Sequence, residues 1–247
     1  MIFAAAQTRP FAGDTERNMA RHVALCEQAA AQGAQLVVFP EMSLTGYQRE
    51  AGAALAFTEQ DERLQPLQEL ATRHRMVIIA GAPLRIAGRL YIGAFALIPG
   101  LSPAVYLKQF LHAGEEQYYD PATDDAYNLM IPVDEVMLSM AICADITHPD
   151  HAIRAASCGT DMYTASIFYT PKGIEEAYRQ LSGYARQYDM LVLMANFCGA
   201  SYDMAAAGQS AFWDNEGNLI GSAPEQEEGL LIARWDTSSW TAGFMPA

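Results

Sequence analysis

The chain has 247 residues, 51% of them apolar, and a formal net charge of −14. A chain of this length buries roughly three quarters of the surface its unfolded form exposes, so no disulfide staple is needed, and the excess of acid argues against nucleic acid or an anionic membrane as partner. The charge mildly favours neutral or cationic small molecules, although an acidic face that keeps the protein dissolved is the simpler reading.

Short apolar strands alternate with amphipathic helices along the chain. Residues 1–7 read as a first strand. Asp14 or Thr15 can cap a helix running to Gln32, with Met19, Val23, Cys26 and Ala30 on one face and Gly33 as its stop. A second strand covers 35–40, and a helix over about 61–74 shows Leu64, Leu67 and Ala71 at helical spacing. Strands follow at 76–81, 90–98 and 104–107, the last two expected as antiparallel neighbours. After a strand at 135–143 come a short helix near 150–157, a strand at 161–167, a long helix over 174–188 and a strand at 190–196. The segments 210–214, 219–222 and 230–235 look like hairpins, with Asn215-Glu216-Gly217-Asn218 as a turn. No repeat, low-complexity stretch or linker interrupts the pattern. It predicts one α/β domain over residues 1–247, with helices on both faces of buried sheet and an antiparallel extension.

Cysteines stand at 26, 143, 158 and 198, with no CxxC pair, and the chain begins without a basic and then apolar segment. Reduced thiols in a cytoplasmic protein are expected. No apolar run approaches the ~18 residues that span a bilayer. For Cys26, Cys158 and Cys198 the default of a small buried hydrophobe holds.

Cys143 is different. It ends the apolar run Ser139-Met140-Ala141-Ile142, while Glu41 ends Leu36-Val37-Val38-Phe39-Pro40 and Lys108 ends Ala104-Val105-Tyr106-Leu107. A thiol is a nucleophile only as thiolate; an ammonium stabilises that form and a carboxylate can take its proton. When a thiolate attacks a carbonyl or nitrile carbon, Lys108 and the backbone N–H of Ala144 have the right character to meet the developing charge. Glu41 can then protonate the leaving amine and activate water. Taken singly, each of the three has a bland reading as a buried thiol or a strand-end charge.

The three segments together resemble the nitrilase superfamily, the carbon–nitrogen hydrolases, over nearly the whole chain. Phe39-Pro40-Glu41-Met42-Ser43-Leu44-Thr45-Gly46-Tyr47 is similar to the family's general-base segment, Tyr106-Leu107-Lys108 to its lysine segment, and Ala141-Ile142-Cys143-Ala144-Asp145 to its nucleophile segment. Ala6-Gln7, Arg186, Gly208-Gln209-Ser210 and Gly217 are further matches. The resemblance implies a four-layer α-β-β-α sandwich of two stacked mixed sheets, a homodimer or larger assembly, and catalysis by Glu41, Lys108 and Cys143 without cofactor. It also implies a second glutamate after the lysine. Of Glu115 and Glu116, the second is preferred, because Gln117-Tyr118-Tyr119-Asp120-Pro121 then aligns with the family's aromatic–Pro stretch. Phe110 stands where many members have histidine, with His112 two residues further on, and Ala122 replaces a common glycine.

Ala144-Asp145 after the nucleophile resembles the amidase and carbamoylase branches rather than the Trp-Glu of nitrilases, so a small-molecule amide is the expected substrate. N-carbamoyl hydrolysis, nitrile hydrolysis, acyl transfer and a non-catalytic binding protein stay open as alternatives. Tyr47, Ala144, Ser166 and Phe168, with Tyr169, fall where pocket walls are expected; ordinary core aromatics are the competing reading. His148 and His151 are separated by Pro149, which spoils a regular helical ligand pair, so no metal site is expected. No glycine-rich phosphate loop is present.

Overall fold

The computed structural model describes residues 1–123 and 130–247. Two sheets carry the chain. The first contains β1 (Ile2–Gln7), β2 (Leu36–Val38), β3 (Val77–Ile86), β4 (Arg89–Leu97) and β5 (Ala104–Leu107). The second contains β6 (Met130–Val133), β7 (Val136–Ile142), β8 (Met162–Ser166) and β9 (Leu191–Ala195). A small ribbon, β10 (Ala200–Ser201) and β11 (Met204–Ala205), follows. The chain then supplies β12 (Ala211–Trp213) and β13 (Leu219–Ser222) to the second sheet and β14 (Gly229–Trp235) and β15 (Trp240–Pro246) to the first. The resulting orders are β15-β14-β1-β2-β3-β4-β5 and β13-β12-β9-β8-β7-β6. In both, parallel strands lie in the middle (β1-β2-β3 and β7-β8-β9) and antiparallel strands flank them. The C-terminal hairpins are therefore not the separate extension that the sequence pattern suggested. They complete the two sheets.

The helices are α1 (Thr15–Ala31), the short α2 (Gly52–Leu55), α3 (Gln65–His74), α4 (Pro149–Ser157) and α5 (Ile174–Tyr188). Side chains alternate along each strand, so each sheet has two faces to cover, and three apolar layers result. Phe3, Ala5, Val38 and Ile79 of the first sheet meet Leu138, Met140, Leu193 and Phe212 of the second in the central layer. The alternate residues Ala4, Ala6 and Val37 pack under Leu25, Cys26 and Ala29 of α1 and Leu67, Leu70 and Ala71 of α3. On the far side Ala141, Tyr163, Val192 and Met194 pack under Ala152 and Ala155 of α4 and Ala177, Leu181 and Tyr184 of α5. This is an α-β-β-α sandwich.

Asp14 caps α1 through a hydrogen bond from Arg17 N to its side chain. The buried face of α1, however, is Asn18, His22, Leu25, Cys26 and Ala29, with Met19, Val23 and Ala30 at its margin. Two polar residues are accepted on the inner face because both are satisfied. Asn18 bonds Phe11 and Leu44, and His22 bonds Asn18 O at 2.7 Å and Ser43 Oγ at 2.9 Å. Of the cysteines assigned to the core, Cys26 and Cys198 are buried but Cys158 is exposed at the end of α4. No helix among the described residues is long and apolar enough to cross a membrane.

Candidate active site

Three chain segments end their strands at one place. Glu41 follows β2 in a turn where Met42 takes φ 51° and Leu44 N bonds Gly81 O at 2.9 Å. Gly81 is required there: a Cβ would stand 2.5 Å from Met42 N and 3.1 Å from Pro40 O, with backbone on both sides. Lys108 follows β5, its own N–H bonded to Ile92 O at 2.9 Å. Cys143 follows β7 and opens a 3₁₀ turn, Cys143–Thr147, with φ 45°. A left-handed conformation costs a non-glycine residue about 1–2 kcal/mol. It turns the thiol out of the strand direction into a cavity.

What holds that strained turn is Asp145. Its Oδ2 accepts from Ile142 N (2.9 Å) and Tyr106 Oη (2.6 Å), and its Oδ1 from Gln109 N (3.0 Å) and Phe110 N (2.9 Å). One buried carboxylate thus ties the Cys143 turn of the second sheet to the Lys108 segment of the first. Behind it, Tyr106 Oη lies 2.8 Å from His151 Nε2, and His151 Nδ1 lies 2.7 Å from Tyr163 Oη. His151 is therefore a structural histidine, and among the described residues no group of three or more His, Cys, Asp or Glu side chains is arranged to hold a metal ion.

The Lys108 ammonium is fully buried and donates to Glu41 Oε1 at 2.7 Å and to Glu115 Oε1 and Oε2 at 3.0 and 2.8 Å. The second glutamate at the lysine is thus Glu115, not Glu116. Gly114 adopts φ 89° and starts a 3₁₀ turn that sends Glu115 inward. Glu116 stays exposed and accepts from Gly114 N at 2.7 Å. Glu115 is further fixed by Tyr47 Oη (2.5 Å) and by His112 N (2.8 Å).

These contacts set the protonation states. Burial raises the Glu41 carboxyl, Lys108 pulls it down and Glu115 pushes it up, leaving it at about 7. Burial alone would lower Lys108, but Glu41, the Cys143 sulfur and Glu115 raise it, so it stays charged. Glu115, despite burial, is held below the usual carboxylate range by Lys108 and Tyr47. Burial and then the Glu41 charge raise Cys143 well above an ordinary thiol, against the pull of Lys108. One ammonium already faces two carboxylates, so a resting thiolate would add a second uncompensated negative charge. The sulfur keeps its proton until something accepts it. Among the described residues Glu41 Oε2 is buried with no hydrogen-bond partner, a state that costs about 1–3 kcal/mol.

The cavity beside these groups measures about 370 Å³ and is lined by Glu41, Tyr47, Glu115, Cys143, Phe168 and Tyr169, with Arg49, His112, Thr170, Lys172, Gly173 and Met204 completing it. Tyr47 and Phe168 stand in its wall as the sequence suggested. Ser166 does not: it is buried within β8 beside Ile142. Ala144 is also buried and contributes no lining surface, although its amide, at the start of a 3₁₀ turn, has no acceptor within that turn. Arg49 and Lys172 went unnoticed in the sequence because they lie on separate loops without a motif, and His112 drew notice only as a histidine displaced from the family's position. A larger depression of 740 Å³, lined by Gln60, Asp61, Gln68, Thr72 and Ser102 among others, contains none of Glu41, Lys108, Glu115 or Cys143.

A model of the carbon–nitrogen hydrolase family matches residues 3–243. A hydrolase encoded in the pqqF 5′ region of Pseudomonas protegens is 28% identical over 211 residues, covering 83% of this chain and 73% of that protein. A nitrilase of Pyrococcus abyssi is 24% identical, with coverage of 93% and 87%. A glutamine-dependent NAD(+) synthetase of Thermotoga maritima is 25% identical over 94% of this chain, which spans only 41% of that longer protein. Among solved structures, an amidase from Nesterenkonia sp. AN1 superposes with a TM-score of 0.84 at 21% identity, covering 96% of this chain and 94% of its own. In one variant of that amidase, acrylamide has added to the active-site cysteine.

Proposed function

Because the chain belongs to the carbon–nitrogen hydrolase family, we propose that it hydrolyses the C–N bond of a small amide through a thioester on Cys143. The observation that carries this reading is the buried cluster in which Lys108 bridges Glu41 and Glu115 while Cys143 opens into the same cavity.

As the Cys143 sulfur attacks the amide carbon, its proton passes to Glu41, whose unpartnered Oε2 is the available acceptor. The carbonyl oxygen becomes an oxyanion that meets the Lys108 ammonium and the Ala144 N–H; each such donor is worth about 3 kcal/mol of barrier. The C–N bond breaks as Glu41 returns the proton to the leaving nitrogen, and ammonia departs from a primary amide. Glu41, again a carboxylate, takes a proton from water, which attacks the thioester. Collapse of the second tetrahedral intermediate releases the carboxylic acid and restores the thiol. Glu115 takes no proton in this scheme. It keeps Lys108 charged and aimed. The restoring groups all belong to the chain, so the cycle closes with water as the second substrate.

The test is ammonia release from primary amides, N-carbamoyl compounds and small nitriles, with Cys143→Ala as the blank. Release from amides that disappears in the variant is the expected result. Release unaffected by Cys143→Ala removes the mechanism, and carbon dioxide among the products moves the reading to N-carbamoyl hydrolysis.

A further inference from the structure

The opening of the Cys143 cavity does not share the acidity of the whole chain. It carries Arg49, Lys172 and His112, in a protein of net charge −14. The two acids in its lining, Glu41 and Glu115, are both bonded to Lys108 inside. Arg49 is held in place rather than left to swing. Its Nε donates to Tyr47 Oη at 3.0 Å, and its guanidinium lies 5.3 Å from the ring centroids of both Tyr47 and Tyr202. Gly114 leaves it room, since a Cβ there would stand 2.8 Å from Arg49 Nη1.

An anchored guanidinium ordinarily faces a carboxylate. Among the described residues Arg49 has none within ion-pairing distance. Its neighbour Glu50 instead accepts from the hydroxyls of Tyr202 (2.5 Å) and Tyr118 (3.2 Å). Lys172 likewise makes no ion pair among the described residues. It precedes α5, whose first turn has no side-chain cap and whose N-cap, Gly173, is itself in the cavity wall. Two cations, Arg49 and Lys172, converge on one cavity mouth, and an anion is the ligand chemistry that suits them.

We propose that this site selects amides that carry a carboxylate a short distance from the scissile bond, with Arg49 binding that carboxylate and Lys172 as the second cation. The inference rests on the amidase reading above and names its substrate class. The spacer is short because Arg49 is only three hydrogen bonds from the Lys108 ammonium, through Tyr47 and Glu115. Tyr47, Phe168 and Tyr169 form the walls between the two ends, and they suit a few methylenes. The net charge of the chain pointed toward neutral or cationic ligands; the charges at the site itself point the other way.

The experiment compares kcat/KM for succinamate and glutaramate with the uncharged amides of matching length, butyramide and valeramide, and with the cationic 4-aminobutyramide. A preference for the carboxylated amides of roughly 10- to 100-fold is expected. Arg49→Gln and Lys172→Gln should each shrink that preference ratio several-fold, whatever common loss they cause; Lys172 is exposed, so its replacement leaves folding intact. Cys143-dependent hydrolysis of butyramide with no preference for the carboxylated amides overturns this inference alone. A preference for the carboxylated amides that is equal in the wild type and both variants overturns the assignment of Arg49 and Lys172. No Cys143-dependent release from any of the five overturns the amidase reading and takes this inference down as well.

Discussion

At Glu41 the protein tolerates a carboxylate in a costly state, and the sign of that cost makes two predictions. Its carboxyl sits at about 7 because burial outweighs Lys108. The proposed mechanism needs it ionised to take the Cys143 proton, so kcat/KM should fall as pH drops through about 7, and Glu41→Gln should lower the rate by roughly 10²–10⁴-fold. The same shift acts on stability. A folded-state value above the unfolded ~4.3 means that protonation favours the fold. That contribution is fully present below about pH 4 and is lost as pH rises through 7. The wild type should therefore lose melting temperature relative to Glu41→Gln between pH 5 and 8, and parallel curves across that window would contradict the raised carboxyl. A second residue, His151, acts at a distance. Tyr106 gives its proton to Asp145, so His151 must donate through Nε2 to Tyr106 and accept at Nδ1 from Tyr163. Burial keeps the imidazole neutral, which this chain of bonds requires. His151→Phe should cost about 1–3 kcal/mol of stability and lower kcat more than it raises KM, because it loosens Asp145 and with it the Cys143 turn. His151→Gln, which retains a donor and an acceptor, should restore part of both. A change confined to KM would rule out this positioning role.

The elements show why so much of this could be read in advance and where reading stopped. Strands ending in Glu41, Lys108 and Cys143 were legible because a charged or reactive residue closes an otherwise apolar run. The buried face of α3 was legible because Leu64, Leu67 and Ala71 recur at helical spacing. The face of α1 was misplaced by one position, since Asn18 and His22 are polar and their hydrogen bonds to Phe11 and Ser43 come from residues brought in by the fold. β15 was missed because Trp-Thr-Ala-Gly-Phe-Met-Pro has little strand character of its own; it is a strand because β14 offers it an edge and Trp240 packs on Phe3 and Phe212. Glu115 was misassigned because two adjacent carboxylates look alike until the left-handed Gly114 decides which one turns inward. Contacts between elements are the hidden part, and Gly81 tests them. Its approach to the Glu41 turn is backbone against backbone, so Gly81→Ala must shift that turn. The fold should survive by circular dichroism while Cys143-dependent turnover falls, by as much as about 100-fold for a displacement near 1 Å. Full activity would mean that the turn can give way without moving Glu41.

Across the whole molecule, the site exists only where the two sheets meet. Glu41 and Lys108 come from the ends of β2 and β5 in the first sheet, and Cys143 from β7 in the second. Apolar packing of the central layer holds the sheets together, so the buried Lys108 cluster is not needed for the sandwich. It is a cost accepted at the sandwich's seam. Removing one partner of such a cluster is destabilising by about 3–5 kcal/mol, while neutralising all of it can be close to harmless. Against a total stability of about 5–15 kcal/mol, Lys108→Met should therefore produce a marked loss of melting temperature, because Glu41 and Glu115 are left buried without a counter-charge. The loss should be smaller at acid pH. Both carboxyls then hold protons in the folded state, and a raised folded-state value gives stability that fades as pH rises. Adding Glu41→Gln and Glu115→Gln to Lys108→Met should bring most of the melting temperature back and none of the activity. Thermal unfolding of the single and triple variants at pH 5 and pH 8 checks this. A triple variant no more stable than Lys108→Met would show that the charges hold the sheets in place. Recovery without turnover would show that the sandwich carries them for chemistry.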